Sequence, residues 1–145
     1  MEPNDMSQRF SPSVLQKLNA AGWYEGRSVE VPEGLAPAPF PAAYVVLREF
    51  GGLHVGEVGP GLECATSDVH IDPTIAAHLS PELIEYGQRM DTQLFVLGEF
   101  HRSHGYLVID IDGKTYLLND SLIPFADSFP ESLEKLLLGL SPDSE

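Results

Sequence analysis

The residues whose types and spacing come nearest to chemistry are two histidine pairings. In a strand, His70-x-Asp72 would share one face, and Asp110 could add a third donor to a divalent metal. His101-x-x-His104 supplies two more imidazoles, but FHRSHG reads as a solvated connection between strands. No HExxH accompanies either pair, so metal-assisted hydrolysis is not expected. A nucleophilic Cys64 would need a histidine and an activating environment. His70 lies six residues on, which does not establish nearness in space, and Cys64 reads as a small apolar residue buried in a strand. Carboxylate pairs are available everywhere in so acidic a chain, so no single pair is informative.

The stretch REFGGLHVGEVGPG, residues 48–61, holds five glycines and raises the question of a phosphate cradle. A Walker loop needs Gly-Lys-Ser/Thr, which occurs nowhere, and after Arg48 the next lysine or arginine is Arg89. Gly56, Gly59 and Gly61 have the reverse of the dinucleotide spacing and precede a strand-like segment, with Glu57 and Glu63 placed to repel phosphate. Gly51-Gly52 reads as a helix stop and the other three as turn residues. No catalytic residue, cofactor or metal is expected, and the chain does not read as an enzyme.

The 145 residues suit one domain with its own core. Hydrophobic content of 43% argues against global disorder. No apolar run approaches the ~20 residues of a membrane span, MEPNDMSQRF lacks the features of a secretory signal, and the single cysteine excludes an intrachain disulfide. A cytoplasmic protein is expected. The formal net charge of −14 is spread along the chain rather than gathered in a tail. Such a molecule repels nucleic acid and anionic membranes, and it attracts a basic protein with a salt-sensitive association. The plain alternative is solubility.

The elements that must position these residues are legible in outline. Ser11-Pro12 opens a helix with an apolar stripe of Val14, Leu15 and Leu18, and Gly22 ends it. Trp23 is expected to fold back onto that helix as a core residue. VPEGLAPAPFP, residues 31–41, reads as an extended connector. A second helix spans about Pro41 to Phe50, with Tyr44, Val45, Leu47 and Phe50 facing the core. Strands follow at Leu53–Val55 and Leu62–Ile71, then two short helices or one broken helix between Asp72 and Met90. QLFVLGEF reads as a strand, followed by a hairpin around Asp112-Gly113 that sets Ile109 opposite Tyr116 and Leu107 opposite Leu118. Ser128 to Leu138 closes the chain as a helix with Leu133, Leu136 and Leu137 inward and Gly139 at its end. The class is α+β: a single domain with a central antiparallel sheet packed by N- and C-terminal helices, at residues 11–139, between a flexible 1–10 and a flexible 140–145.

Taken in order, RFSPSVLQKLNAAGWYEGR, AYVVLREFGGLHV, LFVLGEF and GYLVIDIDGKTYLL resemble the third family of the SUKH superfamily of bacterial proteins, from about Arg9 to Gly139. Gly22, Trp23, Phe50, Gly51, Gly52, Leu53, Leu97 and Gly98 match its characteristic positions, expected to be scaffold. The resemblance implies an immunity protein of polymorphic toxin systems, which binds a cognate toxin, frequently a nuclease, without catalysis, as a monomer or weak homodimer. The alternative is a cytoplasmic interaction or regulatory module with an endogenous partner. Glu57, Glu63, Asp68, Glu99 and Asp120 flank predicted strands or turns and are the candidate contacts for a basic toxin.

Overall fold

A computed structural model describes residues 10–35, 38–74, 79–100 and 105–140. Of the stretches expected to be flexible, 1–10 and 140–145, residues 1–9 and 141–145 lie outside the described residues, whereas Phe10 is buried in the core. Helix α1 is Pro12–Ala21: the Ser11 hydroxyl accepts from the Val14 amide, and Gly22 closes it at φ +109°, a conformation that costs glycine little. Val14 and Leu18 are its buried residues. Trp23 then folds back, donating its amide to the Leu18 carbonyl at 2.9 Å.

Helix α2 is Pro41–Phe50 and buries Ala43, Val46, Leu47 and Phe50. Tyr44 and Val45, expected inward, are exposed instead, Val45 by 64%. A 3.6-residue period running back from Phe50 selects Leu47, Val46 and Ala43, and it leaves Tyr44 and Val45 on the far side. Arg27 holds the end of this helix, donating to the Glu49 carbonyl at 2.7 Å and the Gly51 carbonyl at 2.9 Å. Gly52, at φ +85°, then turns the chain into strand β1, His54–Val55.

Strand β2 is only Val69–Ile71, shorter than the expected Leu62–Ile71. The preceding segment docks on helix α4, Phe129–Leu138, instead of pairing in the sheet. Leu62 donates its amide to the Leu138 carbonyl, and Glu63 and Cys64 donate theirs to the Gly139 carbonyl. Orphan carbonyls at the helix end thus take the amides a longer strand would have used. Cys64 is exposed in this loop, not buried in a strand. Of the helices expected between Asp72 and Met90, α3 is Ser80–Met90, preceded by a turn in which Asp72 Oδ1 accepts from the Thr74 amide and hydroxyl.

The remaining strands are β3 (Leu94–Phe100), β4 (Gly105–Asp110), β5 (Thr115–Leu118) and β6 (Leu122–Ala126). All six lie in one sheet in chain order, each antiparallel to the next. Helices α1, α2 and α4 cover one face, where Phe50, Leu97, Leu107, Ile109, Leu133 and Leu137 meet in the main core. Leu83 of α3 covers part of the other face, over Leu94, Val96, Val108 and Tyr116.

The hairpin register differs by one residue from the expected one: Ile109 pairs with Thr115, Leu107 with Leu117 and Val108 with Tyr116. The loop is three residues, Ile111–Gly113, closed by the Asp110 amide donating to the Lys114 carbonyl. Gly113 sits in the left-handed region, as this loop length demands. Asp110 selects the loop, because its Oδ1 accepts from the Asp112 amide at 2.9 Å and the Lys114 amide at 3.0 Å. One residue of slip sends side chains to the opposite face, so Tyr116 and Leu118 pack under α3 rather than in the main core.

Candidate binding surface

A second irregularity decides what the sheet offers to solvent. Val96 pairs with Val108 and Gly98 with Leu107, so Leu97 is an extra residue, a bulge. Plain alternation from Leu94 would turn Glu99 into the main core. The bulge reverses the phase: Leu97 fills the core, Phe100 packs against it, and Glu99 faces the other way.

There Glu99 lies in a row running across the sheet. It pairs with His70 on one side and Tyr106 on the other, and His70 pairs in turn with His54. Directly opposed residues share a face with Cβ atoms ~5 Å apart. The His54 and His70 rings stack at 5.1 Å with 24° between planes. His54 Nε2–H donates to Asp68 Oδ2 at 2.6 Å. The His54 side chain is 57% exposed and that of Asp68 only 12%. His54, His70 and Glu99 belong to neither core cluster, and Tyr106 rests on the edge of the one under α3. A groove of about 350 Å³ is lined by His70 together with Pro32, Leu47, Gly52, Asp72 and Pro73.

Four of the five expected contact residues lie on the β1–β2 loop or on β3. Glu57 and Glu63 are exposed on the β1–β2 loop, Asp68 enters β2 and Glu99 is in the row. Asp120 stands apart, exposed in the turn between β5 and β6. His54 and Tyr106 were not expected. The alternation of His54 with buried Val55 is a visible signal, but the Asp68 partner and the alignment of Tyr106 depend on long-range register.

A metal site of His70, Asp72 and Asp110 does not assemble. His70 is opposite Glu99 and Asp110 is opposite Leu94, about 16 Å apart along β3. Asp110 is occupied by its turn and by the Tyr116 hydroxyl, which donates to Oδ2 at 2.8 Å. Among the described residues no group of three or more His, Cys, Asp or Glu could hold a metal ion. His101 and His104 lie outside the described residues.

Burial first, then the Asp110 bond and the charges of Asp110 and Asp112, push the Tyr116 hydroxyl up to about 12 from its ordinary 10.0. Unfolded chain releases this proton near pH 10, so the stability Tyr116 contributes is complete below that and lost as pH rises through about 12. Urea midpoints measured from pH 8 to 12 are expected to record a loss on the order of 2 kcal/mol from this group. Tyr116→Phe removes that part of the alkaline slope; an unchanged slope would refute the assignment.

The residues of the expected scaffold surround the other side of this end of the sheet. Trp23 stacks on Phe50 at 6.2 Å with planes 7° apart. Leu53 and Leu97 are buried beside them in the main core. Gly51 donates its amide to Leu47, Gly52 donates to Ile71, and Gly98 pairs with Ile71. Gly22 ends α1 immediately before Trp23. A family model described as SUKH-3 immunity protein matches residues 10–139. No curated protein and no solved structure matches the chain.

Proposed function

Because the chain belongs to the SUKH-3 immunity protein family, we propose that it binds a cognate toxin, a basic nuclease, and neutralises it without catalysis in the cytoplasm. The observation that carries this reading is the family match across residues 10–139. The net charge of −14 supports the choice of a basic target. A nuclease grips phosphates with lysine and arginine, and a carboxylate-rich inhibitor is steered to that groove and covers it. Glu57, Glu63, Asp68 and Glu99 are the contacts proposed for this role, with Asp120 at the periphery. The absence of a membrane-spanning helix among the described residues is compatible with this location.

The test uses the purified chain as bait in an extract of its source cell, followed by a nucleic-acid cleavage assay on the captured protein. An equimolar amount is expected to abolish nucleic-acid cleavage, and the complex is expected to weaken about tenfold between 50 and 300 mM salt. Full cleavage in the presence of excess chain would overturn the proposal. Capture of an endogenous housekeeping protein instead would favour the interaction-module alternative.

A further inference from the structure

We infer that helix α3 is a detachable cover. It lifts from the sheet and melts as a unit, while the main core and helices α1, α2 and α4 stay folded. This goes beyond the proposed function and does not depend on it. The two hydrophobic clusters lie on opposite faces of the sheet, and no residue belongs to both. Opening the smaller one therefore leaves Phe50, Leu97, Leu107, Ile109, Leu133 and Leu137 packed together. It uncovers Leu94, Val96, Val108 and Tyr116, an apolar surface of β3, β4 and β5 that the closed chain does not present.

The helices are held in different ways. Helix α4 buries Leu133, Leu136 and Leu137, and its Lys135 Nζ donates to the Phe125 carbonyl at 2.8 Å. The Ser11 amide, before α1, donates to Glu134 Oε2 of α4 at 2.7 Å, and Trp23 and Arg27 tie down the end of α2. In α3, Leu83 is the one buried side chain among the described residues, and Ile84 and Met90 are exposed. No side chain described in α3 bonds to another element: Arg89 donates to Glu85 at 2.8 Å and lies over the Tyr86 ring, both within the helix. An apolar cleft of about 260 Å³ is lined by Leu83, Ile84 and Gly87 of the helix together with Phe40, Thr92 and Leu94, so α3 does not fill its seat. A Cβ on Gly87 would lie 2.8 Å from the Thr92 carbonyl oxygen, and the returning chain therefore requires glycine there. An 11-residue helix with an internal glycine does not persist in water alone, which makes lifting and melting one event. The joint to β3 opens at Asp91, the one described residue other than glycine with a positive φ, 58°. Melting of the helix releases that conformation.

Native-state hydrogen exchange on the full, unmutated chain in rising sub-denaturing urea tests this. The amides of residues 84–90 are expected to exchange together, roughly 100-fold faster than those of residues 133–137 in α4. Their urea slope is expected to be less than about half that of global unfolding, because only the smaller cluster becomes exposed. Leu83→Asp is the second measurement, since it sets a carboxylate into that cluster. Residues 84–90 are expected to lose protection in this variant while α4 keeps its own. Trp23 emission reports the main core on the opposite face and is expected to stay as in the unmutated chain. Exchange of α3 and α4 at one rate and with one urea slope would overturn the cover. So would a Leu83→Asp chain in which Trp23 and α4 unfold together with α3.

Discussion

Replacing Gly98 by valine is expected to lower the unfolding free energy by about 3 kcal/mol or more, with a melting point lower by roughly 10 °C. A Cβ built on Gly98 overlaps the carbonyl oxygen of His70, and it lies 2.8 Å from that carbonyl carbon and 2.9 Å from Ile71 Cα. All three obstacles are backbone of the paired strand, so no rotamer change relieves them. The variant must part β2 from β3, and with them the His70–Glu99 pairing. Gly59→Ala is the control: its Cβ meets only the Thr66 hydroxyl at 3.7 Å, and an effect below about 1 kcal/mol is expected. Equal urea midpoints for the two variants would show that the close approach at Gly98 does not constrain the sheet. The glycine also sits in the bulge that turns Glu99 away from the main core.

Trp23→Ala is the second large effect, about 3–5 kcal/mol. The indole is 4% exposed, lies flat on Phe50 and meets Phe10 edge-on at 5.9 Å. Its Nε1–H donates to Glu49 Oε2 at 3.2 Å, a bond that ties the end of α1 to the last turn of α2. Truncation removes a large apolar surface and opens a cavity where three segments meet, and the backbone at Gly22 cannot close it without unwinding α1. Trp23→Phe retains the stacking but not the donor and is expected to recover more than half of the loss. Trp23 is the chain's single tryptophan, so its emission in urea reports this junction directly. A melting point for Trp23→Ala within a degree or two of wild type would refute the core assignment.

What the sequence determined alone is local. Ser11-Pro12 and Gly22, Pro41 with Gly51-Gly52, and Ser128 with Gly139 bound three of the helices where they are observed. Cap and stop chemistry acts within four or five residues and needs no partner from elsewhere. The α+β class, the family, the order of the elements apart from the unexpected strand β6 and the lack of bases between Arg48 and Arg89 were equally legible. The tertiary structure decided everything that depends on register. Asp110 takes a three-residue loop where Asp112-Gly113 suggested two, and that single step exchanges the faces of Tyr116 and Leu118. Leu97 bulges because Gly98 lets the His70 backbone approach, and Glu99 changes side. Residues 62–64 give their amides to the end of α4 and leave β2 short. Each of these sets a local preference against a partner distant in sequence, and a window of a few residues carries no information about that partner. The surface that joins His54, His70, Glu99 and Tyr106 exists only after those contests are resolved.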